Sequence, residues 1–128
     1  MIRYLTADEI RDIAVAVTRT QSIVRDEDLL ASAAGRPQHA FGGRDLYPDV
    51  WAKAAALIEG VARNHALVDG NKRTAWMCGW MFLSANGIRA AQKISTDQAE
   101  AFMLRVATGS YEGDNKQMVT DLKALFGH

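Results

Sequence analysis

The chain has 128 residues, equal numbers of basic and acidic side chains (15 each) and 48% hydrophobic residues, as expected for one compact domain spanning residues 1–128. Its formal net charge of zero removes the general electrostatic argument for a nucleic-acid or membrane-surface partner, and its single cysteine excludes an internal disulfide. Because it also lacks an apolar signal core and any apolar run of the roughly 20 residues that a membrane span requires, we expect a cytoplasmic protein with no membrane or direct nucleic-acid partner.

Two helices are predicted in the first part of the chain. Thr6 and Glu9 have the spacing of a capping box. The apolar residues that follow are spaced three and four positions apart, as on one buried face of a helix. They are Ile10, Ile13, Ala14 and Val17. Residues 26–34 form a shorter candidate helix, which ends at Gly35.

Residues 36–47 predict an exposed loop or flap, because they contain two adjacent glycines and a proline and show no helical stripe. Pro48 then suits the first turn of a third helix. Its apolar residues form one stripe, which consists of Trp51, Ala54, Ala55, Ile58, Val61 and Ala62. Three residues further along the same stripe is His65.

A fourth helix is predicted from Gly70 or Asn71 to Asn86. It is apolar on every face beyond Thr74, which predicts that it is the central helix. Its large side chains and its cysteine are then core residues, namely Trp76, Met77, Cys78, Trp80 and Met81. Two further helices, one capped at Ser95 or Thr96 and one carrying Met118, Leu122 and Leu125, complete an all-α bundle of about six helices.

The segment HALVDGNKR, residues 65–73, has the composition of a phosphate-binding site. A helix beginning at Gly70 presents unpaired backbone N–H groups and the positive end of its dipole to an anion. Lys72 and Arg73 add two positive charges in the first turn, where they oppose the dipole. A bound polyphosphate would compensate these charges.

Two side chains of this segment suggest a reaction. Asp69 is a single carboxylate beside the predicted phosphate site, an arrangement that commonly holds magnesium together with substrate oxygens. His65 carries an imidazole, which accepts a proton from a hydroxyl near neutral pH. These are components of transfer from a nucleoside triphosphate to a hydroxyl group. The alternatives are a core histidine at His65 and a solvated helix turn at the two cations.

HALVDGNKR resembles the signature of the Fic/Doc family, which is HPFxDGNGR in Fic proteins and HxFxDANKR in the Doc toxin branch. The lysine is the feature shared with Doc, whereas Ala66 and Leu67 depart from the proline of Fic and the phenylalanine of both branches. The resemblance implies that His65 is the catalytic histidine and that Asp69 is the acid linked to magnesium. It also implies a set of nucleotide-binding residues, of which Arg73 is also catalytic, namely Gly70, Asn71, Lys72 and Arg73.

The resemblance to Doc implies a toxin of a toxin–antitoxin pair, restrained by a small antitoxin protein. It further implies a kinase that transfers the γ-phosphate of ATP to a Ser or Thr of a translation factor, with elongation factor Tu as the expected target. Fic enzymes transfer AMP instead. Lys72 fills the small anion hole left by the second Fic glycine and favours kinase chemistry, whereas Gly70 stands where Doc has alanine. A third hypothesis is a non-catalytic helical binding module.

Several residues outside the motif are further candidates. Arg63 is a candidate phosphate or target contact, with an ordinary exposed arginine as the alternative. The flap residues Phe41, Gly42, Gly43 and Arg44 lie where the family has a segment that clamps the target peptide by strand-like pairing, with a mobile loop as the alternative. Residues 108–113, TGSYEG, formally match the family's inhibitory pattern, but their two glycines predict a turn. His39 and His128 are predicted surface residues.

Overall fold

The computed structural model describes residues 1–128 and is an all-α bundle, as predicted. Its helices are α1 (Ala7–Thr18), α2 (Glu27–Gly35), α3 (Val50–Arg63), α4 (Asn71–Ala85), α5 (Thr96–Ala107) and α6 (Asn115–Phe126). A short 3-10 turn (Arg36–Gln38) follows α2, and an antiparallel hairpin of β1 (Ala40–Phe41) and β2 (Arg44–Asp45) forms the flap. None of the helices combines the length and the apolar character that crossing a bilayer requires.

Side-chain caps fix the starts of three helices close to their predicted positions. Thr6 and Glu9 form the predicted capping box at α1. Asp26 accepts a hydrogen bond from a backbone N–H in the first turn of α2, and Ser95 forms a second capping box with Gln98 at α5. These starts were predictable because a cap depends only on neighbours within four residues.

Helix α3 begins later and ends earlier than the sequence predicts. Asp49 is its N-cap and accepts a hydrogen bond from the N–H of Ala52 at 2.8 Å, so Pro48 precedes the helix and does not occupy its first turn. The helix ends at Arg63, and His65 has a φ of 55°. The prediction that the helical stripe continues to His65 is therefore wrong.

The central helix is α3, and the prediction that α4 is central is wrong. Every residue from 52 to 62 is buried, and α3 packs against α2, α4, α5 and α6. Helix α4 buries only one face, and three of its predicted core residues are substantially exposed: Met77 at 39%, Trp80 at 38% and Met81 at 44%. Because α4 is apolar all round, its periodicity could not show which side lacks a neighbour.

The contact between α3 and α4 is close at Gly79, where an added Cβ would collide with the side chain of Ile58. The neighbouring Cys78 is fully buried, as predicted, and this burial raises the pKa of its thiol to about 12. Tight packing at these two positions fixes the orientation of α4, and with it the position of its amino terminus.

Candidate active site

A cavity of about 280 Å³ lies at the amino terminus of α4. It contains every predicted residue of the HALVDGNKR segment that was assigned a chemical role, and it is lined by Ala62, His65, Val68, Asp69, Gly70, Asn71, Lys72, Arg73 and Ala107. The imidazole, the carboxylate and the two cations thus share one opening in the surface. Its remaining walls come from α3 and from the end of α5.

The start of α4 is uncapped. Gly70 is the N-cap, with a φ of 73° and no side chain that caps the helix. The first helical hydrogen bond runs from the N–H of Thr74 to the carbonyl of Gly70 at 2.9 Å. The preceding N–H groups therefore have no helical acceptor and remain available to an anion, with the positive end of the helix dipole behind them.

No acidic side chain neutralises the cations at this helix start. Lys72 and Arg73 are exposed, and neither takes part in any ion pair of the protein. Asp69 is likewise exposed and unpaired. The charges therefore remain available to a ligand, at a position where both cations cost helix stability.

His65 is exposed on the cavity wall, which excludes the alternative of a buried core histidine. Its imidazole makes no hydrogen bond within the chain, so both ring nitrogens are free to meet a hydroxyl. Its backbone, in contrast, is held: the carbonyl of His65 accepts a hydrogen bond from Nε of Arg25 at 3.1 Å and another from Nη2 of the same guanidinium.

The loop that carries His65 pairs with the segment before α2. Val24 and Leu67 form an isolated antiparallel bridge. The N–H of Arg25 donates to the carbonyl of Ala66 at 2.7 Å, and the N–H of Val68 donates to the carbonyl of Ile23 at 2.8 Å. This pairing between distant parts of the chain ends α3 before His65, and the helical pattern of α3 contained no signal for it.

Asn71 has a structural role that was not predicted from the sequence. Its side-chain oxygen accepts a hydrogen bond from the N–H of Leu67 at 3.3 Å, and its side-chain nitrogen donates to the carbonyl of the same residue at 3.2 Å. The amide thus closes the loop between His65 and α4. An asparagine at the first position of a helix commonly bonds to nearby backbone, and this tendency was the available signal.

The candidate residues outside the motif do not line the cavity. Arg63 lies against the turn after α5, with Nη1 of its guanidinium 3.8 Å from Oε2 of Glu112. Residues 108–113 form the predicted turn. Glu112, the acid of the pattern that resembles an inhibitory motif, is therefore paired with Arg63 and not with Arg73.

The predicted flap is an exposed hairpin with all four candidate residues on the surface: Phe41, Gly42, Gly43 and Arg44. Two charged residues of α3, which the sequence analysis missed, anchor its base. Lys53 is only 2% exposed and its Nζ lies 3.3 Å from the carbonyl of Pro37 and 3.4 Å from Oδ2 of Asp45. Glu59 pairs with Arg36.

A second and larger cavity adjoins the first. It is a groove of about 740 Å³ between α1, α4 and α5, lined by Val17, Lys72, Arg73, Trp76, Met77, Thr96, Glu100, Met103 and Leu104. Lys72 and Arg73 line both cavities. The phosphate-binding candidates therefore stand between a small polar opening and a largely apolar groove.

Comparison with known proteins agrees with the motif. The model of the Fic/DOC family matches residues 4–83, a range that includes the whole HALVDGNKR segment. The chain is also 44% identical over 115 residues to the protein named Toxin Doc of Mycolicibacterium smegmatis, covering 90% of this chain and 88% of that relative.

Proposed function

This chain belongs to the Fic/Doc family, and on that premise we propose that it is the toxin of a toxin–antitoxin pair and acts as a protein kinase. The proposed reaction transfers the γ-phosphate of ATP to a Ser or Thr hydroxyl of a translation factor, with elongation factor Tu as the expected acceptor. One observation carries the proposal: two unpaired cations stand at an uncapped helix start and share a cavity with an exposed imidazole.

In the proposed step, His65 accepts the proton of the acceptor hydroxyl as the hydroxyl oxygen bonds to the γ-phosphorus. The bond from that phosphorus to the bridging oxygen breaks, and ADP leaves with the electron pair. The phosphate oxygens are held by the backbone N–H groups at the start of α4 and by the side chains of Lys72 and Arg73, which stabilise the negative charge that develops on these oxygens. Positioning and charge neutralisation therefore account for most of the expected rate.

Asp69 is the residue proposed to hold Mg²⁺. The chain contains no cluster of three or more metal-ligating side chains, so one exposed carboxylate beside the phosphate site would act together with phosphate oxygens, as is usual for magnesium in nucleotide sites. The ion, when bound, neutralises phosphate charge. We expect an Asp69→Asn variant to require a higher magnesium concentration for activity.

The proposal favours phosphoryl over adenylyl transfer because of Lys72. The cavity beside His65, of about 280 Å³, is lined mainly by polar and charged residues, Lys72 and Arg73 among them, and therefore suits phosphate groups. With a lysine in place of a second glycine, the rest of the triphosphate and the nucleoside must extend out of the cavity, which favours the terminal phosphate as the group beside His65.

Transfer of isotopic label distinguishes the reactions. We would incubate the wild-type chain and His65→Ala with elongation factor Tu and ATP labelled at either the α- or the γ-phosphate. The kinase proposal predicts label only from γ-labelled ATP and only with the wild type. Label from α-labelled ATP supports the Fic-type adenylyltransferase instead.

The remaining alternative is the non-catalytic binding module. It predicts no label from either nucleotide and undiminished growth inhibition by His65→Ala. Together, these two results would contradict both the kinase and the adenylyltransferase hypotheses.

We further propose that the antitoxin covers the groove between α1, α4 and α5. Its walls include Met77 and Leu104, which are 39% and 56% exposed, so an amphipathic antitoxin segment would bury them. Met77→Glu should abolish antitoxin binding, whereas Ser84→Glu, an exposed position of the same helix outside the groove, should not. Equal binding by both variants would locate the antitoxin elsewhere.

A further inference from the structure

The conformation of His65 is unusual for a residue with a side chain. Its φ of 55° lies in the left-handed region, which is strained for a residue that carries a Cβ atom. Surrounding contacts must over-determine such a conformation if it is to persist. The imidazole itself makes no hydrogen bond within the chain, so the hydrogen bonds that hold this conformation are those of the backbone.

The contacts that hold His65 come from Arg25. Two nitrogens of its guanidinium donate to the carbonyl of His65, and its backbone N–H donates to the carbonyl of Ala66 at 2.7 Å. One residue thus holds the two successive peptide groups that follow the turn at His65. A guanidinium has a fixed planar fork of donors, so it fixes the direction of the carbonyl as well as its distance.

We infer that Arg25 is a positioning residue for His65, an inference that rests on the proposed function. Arg25 does not line the cavity, so it acts through the backbone of His65 and not on the nucleotide. By fixing the peptide group that follows the Cα atom of His65, Arg25 orients the imidazole towards the acceptor hydroxyl. Small misplacements of a catalytic group can lower the rate by up to about a hundredfold.

The first test compares kcat with KM for ATP in Arg25→Ala. Loss of positioning predicts that kcat falls by about tenfold or more. KM for ATP should change little because Arg25 does not line the cavity, and the thermal midpoint should change little because the Arg25 side chain is exposed. Arg25→Lys keeps the charge and one donor and should recover part of kcat. Lys93→Ala, which removes an exposed cation without a side-chain partner, is the control.

Two kinetic outcomes overturn the inference. An unchanged kcat in Arg25→Ala shows that His65 needs no such support. A raised KM for ATP with unchanged kcat shows that Arg25 acts on the nucleotide by charge. Full activity of His65→Ala is a different result, since it contradicts the proposed function itself.

A spectroscopic test does not depend on turnover. We would record the imidazole resonances of all three histidines by nuclear magnetic resonance in the wild type, Arg25→Ala and Lys93→Ala. The inference predicts that the His65 resonances shift only in Arg25→Ala, while those of His39 and His128 stay in place. His65 resonances that are identical in the three proteins overturn the positioning role.

Discussion

Replacing Gly70 with alanine tests how tightly the phosphate-binding helix start is built. Gly70 has a φ of 73°, and an added Cβ would lie 2.5 Å from Cγ2 of Thr18 on α1. Alanine in the left-handed region costs about 1 kcal/mol, and forcing a methyl group into an occupied space costs about 1–3 kcal/mol more. We therefore expect Gly70→Ala to lower the free energy of unfolding by about 2–4 kcal/mol, or the thermal midpoint by roughly 10 °C.

The steric part of this loss should be recoverable. Thr18→Ser removes the methyl group that an alanine would meet and retains the hydroxyl, which donates to the carbonyl of Ala14 at 2.7 Å. The double variant should therefore lose less stability than the two single losses added together. The expected coupling is at least about 1 kcal/mol, because the two side chains are in direct contact.

Urea denaturation of the wild type, both single variants and the double variant measures this coupling. Two results would refute the reasoning. In the first, Gly70→Ala is as stable as the wild type, so the helix start adapts to a side chain at no cost. In the second, the loss is the same on both backgrounds, so Thr18 is not the residue that occupies the space.

Three further predictions concern charge. Lys72→Gln and Arg73→Gln should each raise the free energy of unfolding by about 0.3–1 kcal/mol, because the cations oppose the dipole of α4; denaturation midpoints below the wild-type value would contradict this. Cys78, whose pKa burial raises to about 12, should resist thiol reagents at mildly alkaline pH until the protein is unfolded in urea, and rapid reaction of the native protein would be the opposite result. A backbone hydrogen bond from Thr6 lowers the pKa of Glu9 from 4.5, so its contribution is complete above that value and is lost as the pH falls through the lowered pKa. Glu9→Gln should flatten this acid limb of the stability curve, and an unchanged limb would exclude Glu9 as its source.

The parts of the fold that the sequence predicted well are those set by local interactions. The capping residues Thr6, Asp26 and Ser95 mark helix starts correctly, since a cap involves only its own first turn. The motif itself was also readable, because Gly70 and the charges after it lie within five residues of one another. Local patterns were therefore sufficient to predict that these residues lie at the start of one helix, α4.

The errors arose where distant segments meet. The stripe of α3 gave no sign that the chain leaves the helix before His65, because the cause is pairing with residues 23–26, which lie some forty positions earlier. The exposure of Trp80 could not be predicted either, since an all-apolar helix does not show which face is left uncovered. The sequence likewise gives no sign of the role of Arg25, because that role also depends on contacts between segments far apart in the chain.

The two cavities suggest how activity and restraint are linked in the proposed system. Lys72 and Arg73 line both the small opening beside His65 and the large apolar groove. An antitoxin segment that fills the groove would therefore contact the same cations that the phosphates need. On this account, binding of the antitoxin and binding of ATP are mutually weakening, and their affinities must change by the same factor.

Calorimetric titration with ATP and Mg²⁺ is the most direct test of the central claim, which is that the start of α4 binds the triphosphate. The protein would carry Lys72→Gln and Arg73→Gln together, and the matched control would carry Lys93→Gln and Lys116→Gln, which remove the same charge at exposed positions away from the cavity. Because hydrogen bonds to charged groups contribute about 1.5–3 kcal/mol each, the first protein should bind ATP at least about tenfold more weakly than the control. Equal affinities in the two proteins would contradict the claim.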